Sequence, residues 1–596
     1  MTDSFDFAAL RAGYAKGASP ADTIARVYDT LDKRGSDPAW LHVVPREVSL
    51  ARAKALKDAP RDLPLYGLPF AIKDNIDLAG APTTAACPAF AHTPEKSAFV
   101  VDRLIAAGAI PIGKTNLDQF ATGLVGVRSP YGVPANAFDA RYVPGGSSSG
   151  SAVAVAAGLV SFSLGTDTAG SGRVPAGFNN IVGLKPTKGL LSTTGLVPAC
   201  RSLDVISVFA LTVPDALDAT RVAAGFDPAD AYSRRCAGDL DRRAAPGSFR
   251  FGVPKSPLLE FFGDGEAARI YADALKRLEK LGGIRVEFDY APFKATADLL
   301  YDGPWVAERY AAIENLMRDD PDALFPTTRA VIANAAKYDA VATFKALYRL
   351  EALRREAAAV WNDIDVMALP TSGTIFTLEQ LKAEPVLNNT RLGYYTNFVN
   401  LLDLSGLAVP AGMRNDGLPS GITFIGPAWA DAALAALGEA FHRDTGLPLG
   451  ATQASQPAYA PAPPKSDRIE IAVVGAHLSG MPLNGQLTER GGKLVRAGKT
   501  SKRYRLFALA GQTPPKPGLK RVETGEAIDI EVWSLPVGAF GSFVALVPPP
   551  LAIGTVELDD GSWTKGFVCE PAGLDGAVEI THLGGWRAYV ARGLKP

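Results

Sequence analysis

Along residues 1–450, short apolar runs typical of strands alternate with stretches in which apolar residues recur every three or four positions. The run LPFAIK at 68–73 predicts a short buried strand, because it is continuous and ends at polar residues. Residues 19–33 have helical spacing, with Ser19 as the N-cap and Pro20 at the first helical position. The alternation predicts an α/β fold. Further strands are predicted at 109–116, 180–188, 363–370 and 421–426, and further helices at 49–57, 97–107, 267–281, 304–318 and 430–443.

The pattern changes after residue 450. Residues 451–466 (ATQASQPAYAPAPPKS) are rich in proline and lack apolar periodicity, which is typical of an interdomain linker. Residues 467–596 carry short β-type runs and predict a small β-rich domain. A chain of 596 residues is too long for one core, and we expect domains at 1–450 and 467–596. The β-type runs lie at 468–475, 503–510, 527–535 and 565–570.

Two segments rich in glycine, serine and threonine, 145–150 (GGSSSG) and 165–173 (GTDTAGSGR), flank the apolar run 151–164. Glycines in such loops allow sharp turns and leave backbone N–H groups pointing outward. A flexible linker does not fit, because an apolar run follows the first segment. A phosphate-binding loop does not fit either, because its Gly-Lys-Ser/Thr ending is absent. The remaining interpretation is a serine nucleophile with a backbone oxyanion hole.

A lysine, Lys73, ends the predicted buried strand at 68–73. A lone lysine is most often a solvated surface charge. The apolar residues before Lys73 instead indicate a covered position, where burial lowers the pKa of a lysine and lets it act as a base.

Composition excludes several classes of function. The net charge of −1 gives no bulk attraction to nucleic acid or to an anionic membrane. Four cysteines lie far apart without a Cys-x-x-Cys spacing, which argues against a metal site and a disulfide framework and fits a reducing cytoplasm. The acidic N-terminus lacks a signal peptide, and the apolar run 151–164 is too short to span a bilayer. We expect a cytoplasmic protein without cofactor, metal, nucleic-acid partner or membrane partner.

Lys73, Ser147 and Ser171 together closely resemble the amidase signature family, whose members cleave amides with a Ser–Ser–Lys triad. The resemblance covers roughly residues 20–445 and implies a mixed central sheet covered by helices. It implies that Ser171 is the nucleophile, Ser147 the bridging serine and Lys73 the start of the proton relay. The chemistry agrees, because a serine hydroxyl needs a base, and a second hydroxyl can pass the proton to a neutral lysine.

The resemblance also implies details of the backbone. A cis peptide bond is expected at Gly146–Ser147. The N–H groups of Thr168, Ala169, Gly170 and Ser171 are expected to form the oxyanion hole. The family usually has glycine where this chain has Ala169, so a bulkier residue is expected to line the hole.

The segment 301–310 (YDGPWVAERY) is the candidate for substrate recognition. Tyr301 and Arg309 are eight residues apart, a little over two helical turns, so both side chains can share a face. An arginine aimed into a pocket grips a carboxylate in bidentate fashion. The alternative is a surface arginine paired with Glu308.

The segments 116–126, 166–173 and 301–309 resemble the allophanate hydrolase branch of the family. In that branch the Tyr and Arg that match Tyr301 and Arg309 hold the substrate carboxylate. The resemblance implies hydrolysis of allophanate (N-carboxyurea) with release of ammonia, in urea or biuret/cyanurate nitrogen catabolism, and a homodimer. No Met-Lys-Met biotin site or ATP-grasp segment is found in the sequence, so we expect a separate urea carboxylase or biuret hydrolase to supply the substrate.

The C-terminal domain is expected to resemble γ-glutamylcyclotransferase-like β-barrels and to speed loss of carbon dioxide from the product, N-carboxycarbamate. Its candidate residue is His477, which follows a predicted strand and enters a glycine-containing turn. A histidine that only bonds backbone at a strand end is an equal alternative.

Two other functions remain open. One is a broad-specificity amidase whose C-terminal domain serves only assembly. The other is the amidase component of a tRNA-dependent amidotransferase, which the balanced charge does not favour.

Overall fold

The computed structural model describes residues 4–236, 240–458, 468–512 and 515–593. The chain divides into two compact units, Met1–Pro463 and Pro464–Pro596. Within the described residues, no helix is long and apolar enough to cross a membrane.

An eleven-stranded mixed sheet, counted over the described residues, organises the first unit. The strands are β1 (Trp40–Val43), β2 (Pro69–Lys73), β3 (Ile110–Thr115), β4 (Phe162–Asp167), β5 (Val182–Lys185), β6 (Val205–Ala210), β7 (Phe249–Pro254), β8 (Gly283–Phe288), β9 (Val366–Pro370), β10 (Ser405–Met413) and β11 (Pro419–Gly426). Their order in the sheet is β1-β3-β2-β4-β6-β5-β10-β11-β9-β7-β8, and β2 lies parallel to β3 and to β4. The predicted mixed sheet covered by helices is confirmed.

Helices cover this sheet, and their ends follow local sequence signals. The side chain of Ser19 caps the second helix by accepting a hydrogen bond from the Asp22 N–H, with Pro20 at the first position as expected. The helices are α1 (Phe7–Ala15), α2 (Pro20–Arg34), α3 (Arg46–Ala55), α4 (Phe99–Ala106), α5 (Ser149–Ala156), α6 (Val174–Phe178), α7 (Val213–Ala223), α8 (Gly265–Lys280), α9 (Ala291–Leu299), α10 (Trp305–Ala312), α11 (Glu314–Asp319), α12 (Pro326–Ala333), α13 (Ala340–Ala358), α14 (Leu378–Ala383), α15 (Leu387–Leu392), α16 (Phe398–Leu401) and α17 (Asp431–Thr445).

The single helix predicted at 304–318 is wrong, because the chain breaks at Ile313. Ile313 has non-helical dihedral angles (φ −132°, ψ 29°) and is buried in an apolar cluster with Phe120 and Leu324. Packing of this side chain overrides the continuous apolar pattern.

The core of the first unit lies between the sheet and its helices. Phe70 on β2 stacks on Phe162 on β4, with ring centroids 5.1 Å apart. Every residue of β2, β3 and β4 is buried. The ends of these strands therefore deliver side chains into a region shielded from water.

The first residues of the predicted linker pack on the first unit. The Ala451 N–H donates to the Ala156 carbonyl, and Gln456 Nε2 donates to the His442 carbonyl. Residues 459–466 of that linker lie outside the described residues, so the boundaries at 450 and 467 stay predictions.

The second unit is β-rich, as predicted. Its elements are β12 (Arg468–Val473), α18 (Gly485–Thr488), β13 (Lys493–Lys499), β14 (Tyr504–Ala508), β15 (Pro517–Arg521), β16 (Asp529–Pro536), α19 (Val537–Val544), β17 (Leu551–Glu557), β18 (Trp563–Cys569), β19 (Val578–Glu579) and α20 (Trp586–Ala591). One sheet has the order β13-β16-β12-β18-β17, and a second has the order β15-β14-β19. The likeness to γ-glutamylcyclotransferase barrels stays a prediction.

Candidate active site

Lys73 lies at the carboxyl end of β2, between β3 and β4, and is fully buried. Its Nζ donates hydrogen bonds to Ser147 Oγ at 2.7 Å and to Thr166 Oγ1 at 2.6 Å. The lysine therefore touches the serine that the sequence paired with it, and also a threonine hydroxyl that the sequence did not single out.

Burial lowers the pKa of Lys73 from its ordinary value to about 7. The carboxylates of Asp118, Asp204 and Asp167 oppose this shift, whereas the Arg309 guanidinium adds to it. A large fraction of Lys73 is consequently neutral near pH 7 and can accept a proton.

The loop before α5 carries Ser147. The Gly146–Ser147 peptide bond is cis, as expected. A Cβ on Gly146 would collide with Asp118 Oδ2, so only glycine fits there. The buried Asp118 carboxylate accepts hydrogen bonds from the N–H groups of Gly126 and Arg128, each at 2.9 Å. Asp118 thus fixes the neighbouring loop against the one that holds Ser147.

The loop between β4 and α6 carries Ser171, which is 2% exposed. Over the described residues, the N–H groups of Thr168, Ala169, Gly170 and Ser171 donate to no protein acceptor. A row of unpaired N–H groups beside a serine can stabilise a negatively charged oxygen. Ala169 packs its methyl group into an apolar cluster, which explains how the loop accommodates a residue larger than glycine.

Asp167 and Arg173 bracket this loop. Arg173 Nε and Nη2 donate to the two Asp167 carboxylate oxygens at 2.9 Å each, and both side chains are fully buried. Burial alone would raise the pKa of Asp167, but Arg173, together with Lys185 and the Gly172 N–H, outweighs burial and the pKa is lowered. The loop therefore has both ends tied together by an ion pair.

Arg309, on α10, is 2% exposed. Its Nη1 donates to Thr122 Oγ1 at 3.1 Å, and its guanidinium carbon lies 5.4 Å from the centre of the Tyr301 ring. Its Nε and Nη2 are buried without a hydrogen-bond partner in the part of the chain that the structure describes. Glu308 instead accepts hydrogen bonds from Ser202. The alternative of a surface arginine paired with Glu308 is wrong.

The second unit contains a separate cavity of about 210 Å³ around His477. The imidazole is stacked on Phe567, with centroids 5.0 Å apart, and its Nε2 lies 2.9 Å from Gln486 Oε1. Burial lowers the pKa of His477, so the ring is neutral at pH 7. Lys516 lines the same cavity and provides a positive charge there.

Across the described residues, no group of three or more His, Cys, Asp or Glu side chains is placed to hold a metal ion.

Comparison with known families assigns both parts of the chain. A family model described as Amidase matches residues 26–435, and a model described as Allophanate hydrolase C-terminal domain matches residues 469–591. The chain belongs to the amidase family. The membership inferred from Lys73, Ser147 and Ser171 is confirmed.

Similar proteins align with this chain over different fractions of its length and of their own. Urea amidolyase of Saccharomyces cerevisiae is 43% identical over 97% of this chain, which spans about a third (32%) of that relative's length. The structure of Kluyveromyces lactis allophanate hydrolase is 42% identical, with 98% of each chain covered and a TM-score of 0.76. A glutamyl-tRNA(Gln) amidotransferase subunit of Chloroflexus aggregans is 35% identical over 68% of this chain and 89% of its own length.

In this amidase the structure groups the residues predicted for the first domain. Lys73 contacts Ser147, the 168–171 loop lies at the end of the neighbouring strand β4, and Arg309 donates to Thr122 in the loop that follows β3. Their roles stay predictions.

Sequence reasoning missed a set of buried polar residues that support the site. Asp118 lies within the segment 116–126 that was used for the resemblance, but no feature of the neighbouring sequence indicated a role for its carboxylate. The missed residues are Asp118, Thr122, Thr166, Asp167, Arg173 and Asp204.

Proposed function

We propose that this amidase is an allophanate hydrolase. Ser171 attacks the terminal amide carbonyl of allophanate, and its proton passes through the Ser147 hydroxyl to neutral Lys73. The contact of 2.7 Å between Lys73 Nζ and Ser147 Oγ supports the second transfer. The N–H groups of residues 168–171 stabilise the oxyanion of the tetrahedral intermediate.

Collapse of that intermediate breaks the bond to the amino group. Protonated Lys73 returns its proton through Ser147, and ammonia leaves. Water then attacks the acyl-enzyme by the same relay and releases N-carboxycarbamate and free Ser171.

Buried Arg309 is the observation that carries the substrate assignment. Two of its nitrogen positions, Nε and Nη2, have no partner among the described residues, although a buried guanidinium needs acceptors. The carboxylate of allophanate supplies two oxygens for a bidentate pair. The ring of Tyr301 lies against the guanidinium and limits its positions.

The test compares Arg309→Ala and Arg309→Lys with the wild type on allophanate, malonamate and a neutral aryl amide, measured as ammonia release. We expect the wild type to prefer the carboxylate-bearing amides. Arg309→Ala should lower kcat/KM for these by roughly 30- to 1,000-fold, equivalent to about 2–4 kcal/mol. Arg309→Lys should recover only part, since lysine lacks the planar fork.

The assignment would be contradicted if the wild type cleaved the neutral amide as well as the carboxylate-bearing amides and if Arg309→Ala left kcat/KM for the carboxylate-bearing amides unchanged. The protein would then be a broad-specificity amidase. Ammonia release from glutamine but not from allophanate would instead support the amidotransferase alternative, for which the similarity to the Chloroflexus aggregans protein speaks.

For the C-terminal domain we propose decarboxylation of N-carboxycarbamate. Loss of carbon dioxide and uptake of one proton give carbamate, which takes up a second proton and decomposes to ammonia and carbon dioxide. Neutral His477 and charged Lys516 in one cavity suit a dianionic substrate.

We also propose a cytoplasmic homodimer that acts after a urea carboxylase or a biuret hydrolase. The resemblance to the allophanate hydrolase branch supports the homodimer and the supply of allophanate by another enzyme. The four widely spaced cysteines support a reducing cytoplasm. Light scattering of the purified protein tests the dimer.

A further inference from the structure

The turn formed by residues 199–204 contacts, on one side, the loop of residues 168–171, which we call the oxyanion loop. Asp204 Oδ1 accepts a hydrogen bond from Thr168 Oγ1 at 2.5 Å, and its Oδ2 accepts one from the Ala199 N–H at 2.8 Å. Asn400 Nδ2 adds a second connection by donating to the carbonyls of Asp167 and Leu203.

The same turn contacts helix α10 on its other side. The Ser202 N–H and hydroxyl donate to the two carboxylate oxygens of Glu308, both at 2.7 Å. Cys200 Sγ lies 3.5 Å from the Trp305 carbonyl at the start of the helix. Glu308 immediately precedes Arg309. The turn is therefore hydrogen-bonded to the residue next to the one that carries the guanidinium.

Asp204 is 4% exposed, and burial raises its pKa to about 6. It is thus ionised at neutral pH and accepts hydrogen bonds as a carboxylate, which are stronger than those to a neutral group. A buried carboxylate held by a short turn gives the Thr168 hydroxyl one well-defined position.

We propose that the 199–204 turn is a positioning element that couples the oxyanion loop, through Thr168 and Asp204, to the substrate-binding helix, through Ser202 and Glu308. Binding of a substrate carboxylate by Arg309 then favours the arrangement of the turn in which the N–H groups of residues 168–171 point at the reacting carbonyl. The inference rests on the proposed roles of Arg309 and the oxyanion loop. It assigns positioning roles to Thr168, Ser202, Asp204 and Glu308.

The first experiment removes one hydroxyl. Thr168→Val keeps the shape and the backbone N–H but loses the bond to Asp204, whereas Thr168→Ser keeps that bond. We expect Thr168→Val to lower kcat at least ~10-fold with little change in KM, and Thr168→Ser to remain within about threefold of the wild type. Thr220→Val is the matched control, because Thr220 is a buried threonine on α7 that donates to the Ala216 carbonyl.

The second experiment tests coupling. Glu308→Ala should raise KM for malonamate about 10-fold and also lower kcat, whereas Glu314→Ala, an exposed glutamate on α11, should change neither. In the double variant Thr168→Val/Glu308→Ala, the loss of kcat/KM should be clearly smaller than the product of the single losses, because one connection is already broken.

Two results would overturn the inference: a multiplicative double variant, or equal kcat for Thr168→Val and Thr168→Ser. Unfolding midpoints of all variants separate these kinetic effects from loss of fold. Thr168 variants are assayed on whichever amide the wild type cleaves best. Their outcome is therefore independent of whether allophanate is the substrate, which Arg309→Ala tests.

Discussion

Asp167 and Arg173 form a bidentate ion pair across the loop that carries Ser171, and neither side chain is exposed. Asp167 ends β4 and Arg173 precedes α6, so the pair fixes the two ends of a segment with unpaired N–H groups. Asp167 Oδ2 also accepts the Gly172 N–H at 3.0 Å. The pair therefore fixes both ends of the loop, while within the loop the Thr168 hydroxyl and the Gly170 carbonyl are also hydrogen-bonded.

Removing one partner of this pair should be strongly destabilising. Arg173→Met leaves the Asp167 carboxylate buried without its counter-charge, which lowers the free energy of unfolding by about 3–5 kcal/mol. Urea unfolding followed by circular dichroism measures the change. Arg141→Met is the control, because Arg141 pairs with Asp139 at an exposed position, and it should leave the midpoint unchanged. Equal midpoints for the two variants would show that the buried pair does not stabilise the fold.

The chemistry of the site could be predicted from the sequence, because local patterns mark its groups. Lys73 follows a continuous apolar run, and Ser147 and Ser171 lie among glycines. The supporting charges could not be predicted. Asp204 is recognisable only once folding places it against Thr168, which lies 36 residues earlier in the chain. Arg309 could be chosen from the sequence as a candidate for carboxylate binding, but only the structure shows that its side chain is buried.

The fold was predictable only in part, even where strands are fully buried. The strand at 68–73 was predicted and β2 is buried along its whole length, but the equally buried β6 was not predicted. Strand β13 was missed, because most of its residues are exposed and it shows no apolar alternation. Edge positions of a small sheet do not require such alternation, so the sequence carries no signal there.

The pKa of Lys73 predicts the pH dependence of the first reaction. A lysine must be neutral to accept the proton from Ser147, so kcat/KM should rise tenfold per pH unit below about 7 and level off above it. Stopped assays of ammonia release from about pH 5 to about pH 10 measure the profile. Lys73→Met should abolish activity without changing the fold.

Lys185→Met is the matched control for this profile. Burial also lowers the pKa of Lys185, to about 8, but its Nζ donates to the carbonyls of Pro186 and Leu404 and contacts no catalytic hydroxyl. The midpoint near pH 7 should survive in this variant. A wild-type profile that still rises at about pH 10 would mean that Lys73 keeps an ordinary lysine pKa.

Gly170→Ala should disrupt the oxyanion loop. Gly170 has φ +141°, and a Cβ there would collide with Thr396 Oγ1, which is itself buried. The loop must move to relieve the clash, and loss of an aligned N–H lowers kcat by about 100-fold or more. Gly417 also has a positive φ (+83°), but among the described residues no atom beyond its chain neighbours lies within 4 Å of an added Cβ, so Gly417→Ala should leave kcat unchanged. Comparable kcat in both variants would argue against a precise role for the loop.

His477→Ala separates the two proposed reactions. The first ammonia should be released from allophanate at the wild-type rate, because the Ser171 site is intact, while carbon dioxide release should slow. Coupled assays of both products on the same sample give the ratio of rates. His582→Ala, an exposed histidine in the same domain, should leave both rates unchanged.

The alternative role of the C-terminal domain gives a different outcome. If that domain serves only assembly, His477→Ala changes neither product, and deletion of residues 467–596 changes the oligomeric state seen by light scattering. His477 stacks on Phe567 and lines the same cavity as Lys516, and a cavity filled only by apolar packing would not need these two polar side chains. We therefore expect the kinetic outcome, with carbon dioxide release lagging ammonia release in His477→Ala and no change in oligomeric state.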